Sequence, residues 1–281
     1  MTKRYEELEF TDDFMFCKLL QNNPDVTQAI VELLTGKKIG GIVNNERQRP
    51  IEITPDGKGV RMDVYLRDDN DVVYNIEMQK ANADDIPRRA RYYQSMIDVD
   101  LIERGMDYKG LNDSYVIFIM LEDPFGKGEP IYTFHNTCKE LDNLSLDDGT
   151  VKIFVNAQGI CGKISSELKS FIEYLRGDDA SSILTRTIDE RVNRLKRNER
   201  WKGEFMTLYE HYQIERSEGR EEGLAEGLAE GRAEGLAEGR AEGRKEGRKE
   251  AYISLVKEGV ITPAWAADKL DMSEEEFNKY L

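Results

Sequence analysis

Histidine is almost missing from this 281-residue chain, and cysteine is scarce. His135 and His211 stand far apart, and Cys17, Cys138 and Cys161 form no Cys-x-x-Cys pair. That excludes a zinc centre of recognisable spacing and a disulfide framework, and it points to a reducing compartment. No apolar run approaches the roughly 20 residues of a membrane span. Met1–Glu7 has no apolar core of a signal peptide, so the expected location is cytoplasmic, with no membrane partner. Basic residues are also in deficit: 55 acids against 40 bases give a formal charge of −15. Such a chain is a poor general polyanion binder, since phosphate contacts need local Lys and Arg. The bases are grouped at Lys37-Lys38, at Arg47 and Arg49, at Arg88-Arg89 with Arg91, and from Arg186 to Lys202. Each group also reads as a solvated helix face, the last of them above all.

The most informative stretch is Gly59–Arg67 followed by Val72–Lys80, joined by Asp68-Asp69-Asn70-Asp71. Both runs alternate with period two and read as a hairpin. With an odd loop, such as Asp69–Asp71, Asp63 falls opposite Glu77, and directly opposed residues lie about 4.5–5.5 Å apart. Arg61, Tyr65, Asn75 and Gln79 share that face, while Met62, Val64, Leu66, Val72, Tyr74, Ile76 and Met78 take the other. Two opposed carboxylates destabilise a sheet unless something neutralises them, and a divalent cation is the usual means. The competing reading is a wet sheet face with scattered acids.

Elsewhere, Thr11-Asp12-Asp13 reads as the capped start of an amphipathic helix, and Val26–Leu34 as a second helix ended by Gly36. Ile42–Ile53 is expected to be a strand. A helix is expected over Asp85–Arg104, with Pro87 in its first turn and Gly105 as its stop. Tyr115–Leu121 is continuously apolar, the mark of a strand buried on both faces. Pro130–Phe134 and Val151–Val155 suggest further strands; Ile164–Leu175 and Ser182–Tyr212 suggest helices. The expected class is α/β: a central mixed sheet flanked by helices, with a helical C-terminal extension. The expected division is 1–200 for the α/β domain, 201–250 for a linker and 251–281 for a small helical hairpin.

From Glu218 to Glu250 the chain repeats Glu-Gly-x-x every four residues, with eight glycines. Each glycine costs about 0.8–1.0 kcal/mol against alanine inside a helix, so a frayed, partly helical linker is expected without a partner. A slowly winding glycine stripe would also let two such helices approach closely, making self-association the competing reading. Ser273-Glu274-Glu275-Glu276-Phe277 carries a capping signature, and its acids argue against DNA binding by the terminal hairpin.

The Asp63 strand followed by Glu77-Met78-Gln79 resembles the PD-(D/E)XK nuclease superfamily, whose restriction-endonuclease core has the same order of elements. Thr11–Lys18, Arg89-Ala90-Arg91-Tyr92-Tyr93 and Gly105–Leu111 leading into Val116–Leu121 resemble its recombination-promoting nuclease branch of transposase-derived proteins. This likeness extends over about residues 8–255. It implies Mg²⁺-dependent cleavage of DNA, with Mn²⁺ able to substitute. Asp63, Glu77 and the backbone carbonyl of Met78 would hold the metal, and Asp13 would be a third acid, unless it serves as a helix cap. Gln79 would stand in the catalytic trio where the superfamily usually has lysine. It can position a water through hydrogen bonds but supplies no charge, and Lys80 is expected to face the other way. Arg61, Arg89 and Tyr93 are the expected phosphate contacts. A catalytically idle assembly protein with the same fold is the alternative, and a homodimer formed through the tail is the expected assembly.

Overall fold

The computed structural model describes residues 3–51, 60–81, 84–102 and 105–281, and of 44–51, 60 and 61 it describes the backbone alone. Two compact units divide the chain, Met1–Met206 and Thr207–Leu281.

The first unit is built on six strands: β1 (Ile42–Ile51), β2 (Val60–Asp68), β3 (Val73–Gln79), β4 (Ser114–Met120), β5 (Ile131–Phe134) and β6 (Thr150–Asn156). They lie in the order β1-β2-β3-β4-β6-β5. The pairs β1–β2, β2–β3 and β5–β6 are antiparallel, and β3–β4 and β4–β6 are parallel. A parallel neighbour requires a crossover, which α3 (Ile86–Leu101) supplies between β3 and β4. Every residue of β4 is buried, as its unbroken apolar run requires.

Four helices, α1 (Asp13–Asn22), α2 (Pro24–Thr35), α4 (Ser166–Arg176) and α5 (Ile183–Lys196), share one core with Val64, Leu66, Tyr74 and Ile76 of the hairpin. On the opposite face α3 packs Ile86, Ala90, Tyr93 and Ile97 against Tyr65, Val73, Val116 and Phe118. Met62 belongs to this second core rather than the first. The expected alternation therefore fails on crossing Asp63, where the β2–β3 ladder ends at Val64↔Ile76.

The hairpin turn fixes the register that matters. Asp68 and Val72 close a three-residue loop, Asp69–Asp71, through Asp68 N donating to Val72 O at 3.1 Å. Asp71 adopts φ 61°, the left-handed position such loops need. The Asp68 carboxylate, 1% exposed, accepts from Asn70 N, Val72 N, Tyr74 OH and Gly40 N. Replacing it strands these donors, so Asp68→Ala should lower unfolding free energy by at least about 2 kcal/mol. The midpoint of denaturant unfolding reads this; an unchanged midpoint would mean the turn does not depend on that carboxylate.

Three other expectations need correction. Asp12 sits at the N-cap of α1 but makes no capping bond, because its carboxylate accepts instead from Glu9 N, Lys3 and Lys80. The single helix expected over Ser182–Tyr212 is two. Asn198 separates α5 from α6 (Glu199–Lys257), its side-chain oxygen accepting from Arg200 N and Trp201 N. The repeat is not frayed: α6 continues through it without interruption, and no residue of α6 is buried. In the second unit α7 (Pro263–Lys269) and α8 (Glu274–Phe277) enclose Ala266, Ala267 and Phe277. A Ser273–Glu276 capping box starts α8. No described helix is long and apolar enough to cross a membrane.

Candidate active site

Past Val64↔Ile76 the backbone ladder gives way to side chains. Asp63 N donates to Glu77 Oε1 at 3.0 Å, and Met78 N donates to Asp63 Oδ2 at 3.1 Å. Each carboxylate thus accepts in place of a carbonyl of the other strand, which holds the two acids together. They stand at the carboxyl end of β3, beside its parallel partner β4, where α/β sheets commonly open a ligand crevice.

Glu77 is 4% exposed. Burial above all, and then the Asp63 carboxylate, push its carboxyl well above the ordinary 4.5, against the bond from Asp63 N, the Asn75 amide and the field of Arg89. Asn75 is wholly buried, and neither of its amide atoms meets a partner in normal hydrogen-bond geometry. Its help to Glu77 is therefore dipolar rather than a formed bond.

An open cavity of about 250 Å³ is lined by Thr11, Asp13, Asp63, Glu77, Met78, Gln79, Lys80, Arg89 and Tyr93. The fold brings together every site residue anticipated above except Arg61, whose side chain lies outside the described residues. Asp13, Cys17 and Asp63 place one ligand atom each within 4.8 Å of one another. Asp13 is the first residue of α1, and its Oδ1 accepts from Cys17 Sγ at 3.8 Å. Its carboxylate faces this cluster and is not a helix cap. Cys17 was missed from the sequence, although its i,i+4 spacing from Asp13 puts both on one helix face.

Arg89 and Tyr93, one turn apart on α3, are bonded through Arg89 Nη2 to Tyr93 OH at 3.1 Å. The guanidinium also lies over the Tyr93 and Phe118 rings, 5.5 and 5.6 Å from their centroids. Its Nη1 donates to Gln79 Oε1 at 3.1 Å. Lys80, expected on the far face, lines the cavity instead and pairs with Asp12. The strand ends at Gln79, so period-two alternation no longer directs the next side chain.

The helix-flanked mixed sheet, with an acid on each of two adjoining strands opening into one cavity, is a PD-(D/E)XK-like α/β fold. Residues 11–146 match the family model of the PD-(D/E)XK nuclease family transposases. This segment contains β1 to β5, α3 and every residue lining the cavity. No curated protein and no solved structure matches the chain.

Proposed function

We propose that the first unit is a metal-dependent DNA endonuclease that hydrolyses phosphodiester bonds, in recombination or against foreign DNA. The observation that carries this is the crossed pair of bonds, Asp63 N to the Glu77 carboxylate and Met78 N to the Asp63 carboxylate, which holds two carboxylates in one small, partly dry volume. Such a pair has the donor chemistry of a hard divalent cation, which prefers oxygen ligands and keeps several waters. Asp63, Glu77 and the Met78 carbonyl would hold Mg²⁺, with Mn²⁺ as a substitute and Asp13 as a third acid. The ion would polarise the phosphate and lower the pKa of the attacking water.

The chain's own residues do the rest. The Met78 and Asp63 amides fix each carboxylate through one oxygen, so neither must be ordered when the ion arrives. Arg89, fixed by Tyr93 and Gln79, stabilises the Glu77 anion and keeps further N–H donors for a phosphate oxygen; Tyr93 offers its hydroxyl beside it. Arg61 is proposed as a third contact from sequence alone. Double-strand cutting would require two such sites, which favours a dimer formed through the C-terminal helix.

Plasmid DNA incubated with the full chain tests the reading. Nicked or linear products should form with Mg²⁺ or Mn²⁺ and vanish with EDTA. Intact plasmid with a folded, metal-bound protein would favour the idle assembly protein, a reading the −15 charge and the neutral Gln79 also suit.

A further inference from the structure

Gln79 is engaged at both ends of its amide. The oxygen accepts from Arg89, and Nε2 donates to Ala81 O at 2.9 Å. An amide held this way positions a guanidinium and keeps only its second Nε2 hydrogen for a water or phosphate. The cavity nevertheless needs a mobile cation. A phosphodiester entering beside Asp13, Asp63 and Glu77 meets three acids, and Arg89 is anchored on two side chains and two rings.

Lys80 supplies that cation. Its side chain is 49% exposed and paired with Asp12, which is 10% exposed and also accepts from Lys3 Nζ at 3.0 Å. Burial pushes the Asp12 carboxyl up, but the bonds from Glu9 N, Lys80 and Lys3 outweigh it and hold the group below the usual range, as an anion. Lys3 also bridges to Glu9 at 2.6 Å, so two ammoniums and two carboxylates balance, and of these four groups Lys80 is the one that lines the cavity. The arrangement also permits movement. If Lys80 swings away, Lys3 and Glu9 N still satisfy Asp12, so no buried charge is orphaned. Lysine suits this task, carrying a compact charge with three donors on a flexible four-carbon stem.

We propose that Lys80 adds a mobile contact to the substrate phosphate beside that of Arg89, released from an Asp12–Lys3 cradle, and that Gln79 is a positioning residue for Arg89. The proposal rests on the nuclease reading, and its test separates the two. Binding of a labelled DNA duplex is measured by anisotropy with Ca²⁺ across a salt series, and cleavage is measured with Mg²⁺. Each phosphate neutralised contributes about 0.9 to the slope of log K against log salt. Lys80→Gln should reduce that slope by about 0.9 and slow cleavage about 10²–10³-fold, the usual cost of losing one donor to developing charge. Lys80→Arg should keep the slope. Gln79→Ala, which loosens Arg89 without removing its charge, should keep the slope but slow cleavage, and unchanged cleavage would overturn the positioning role.

A wild type that binds with the expected slope loss in Lys80→Gln, yet never cleaves, would overturn the nuclease reading and leave the phosphate contact standing. Cleavage and slope both unchanged in Lys80→Gln would overturn the proposal while the nuclease stood. Absence of DNA binding by the wild type would also overturn it.

Discussion

Asp63→Asn is expected to abolish plasmid cleavage while leaving the metal-free fold as stable as the wild type or more so. The loss of activity follows from charge. Asparagine keeps an oxygen to accept from Met78 N, so the geometry survives, but one negative ligand is gone. Losing several kcal/mol of transition-state stabilisation corresponds to a rate drop of about 10²–10⁴-fold. The stability effect runs the other way because Asp63 is the charge that most opposes ionisation of buried Glu77. Glu77 has a folded pKa raised above its unfolded value. Its stabilising contribution is therefore full below about pH 4.5 and is lost as pH rises through the folded pKa. Neutralising Asp63 lowers that folded pKa and shrinks the loss. The thermal unfolding midpoint of the metal-free wild type should thus fall as pH rises across this window, more steeply than in Asp63→Asn. A variant that cleaves normally removes Asp63 from the site. One that is inactive but clearly less stable shows Asp63 to be a structural partner first.

The hairpin and its two acids were legible because both strands alternate over several residues and because an odd loop leaves one register that faces Asp63 toward Glu77. Asp71 in the left-handed region completes that logic, as a short polar side chain tolerates it. Alternation, however, informs only while a strand lasts. It misplaced Lys80, one residue past the end of β3, and Met62, beyond the last β2–β3 pair. The locked amide of Gln79 was not legible, since it depends on where a helix ten residues later puts Arg89. Asn198, by contrast, carried a readable signal: an N-cap residue type in the middle of an apparently single helix.

Replacing Gly223, Gly227, Gly231 and Gly235 by alanine should stabilise α6 and yet weaken self-association. A Cβ added at any of the eight repeat glycines meets nothing within 4 Å in the chain itself, so no strain opposes the change. Four substitutions should then favour the helix by about 3–4 kcal/mol in total. Within a lone chain these glycines serve no packing purpose, and glutamates four residues apart repel each other along the same helix. Close approach of a second backbone would give glycine its use, as small residues at i and i+4 do in tightly crossed helices. Charge favours an antiparallel second copy. Glu218–Gly235 holds six acids and two bases, whereas Leu236–Glu250 holds four acids and five bases, so opposite halves complement each other. Sedimentation equilibrium of the full chain should show a dimer that dissociates in the alanine variant and at high salt, with circular dichroism reporting a higher melting temperature for the helix. Deleting Glu218–Leu281 should likewise give a monomer that nicks plasmid without linearising it. A helix that gains stability while the dimer persists would assign the interface elsewhere, and the glycines would then act only by holding α6 near its margin of stability.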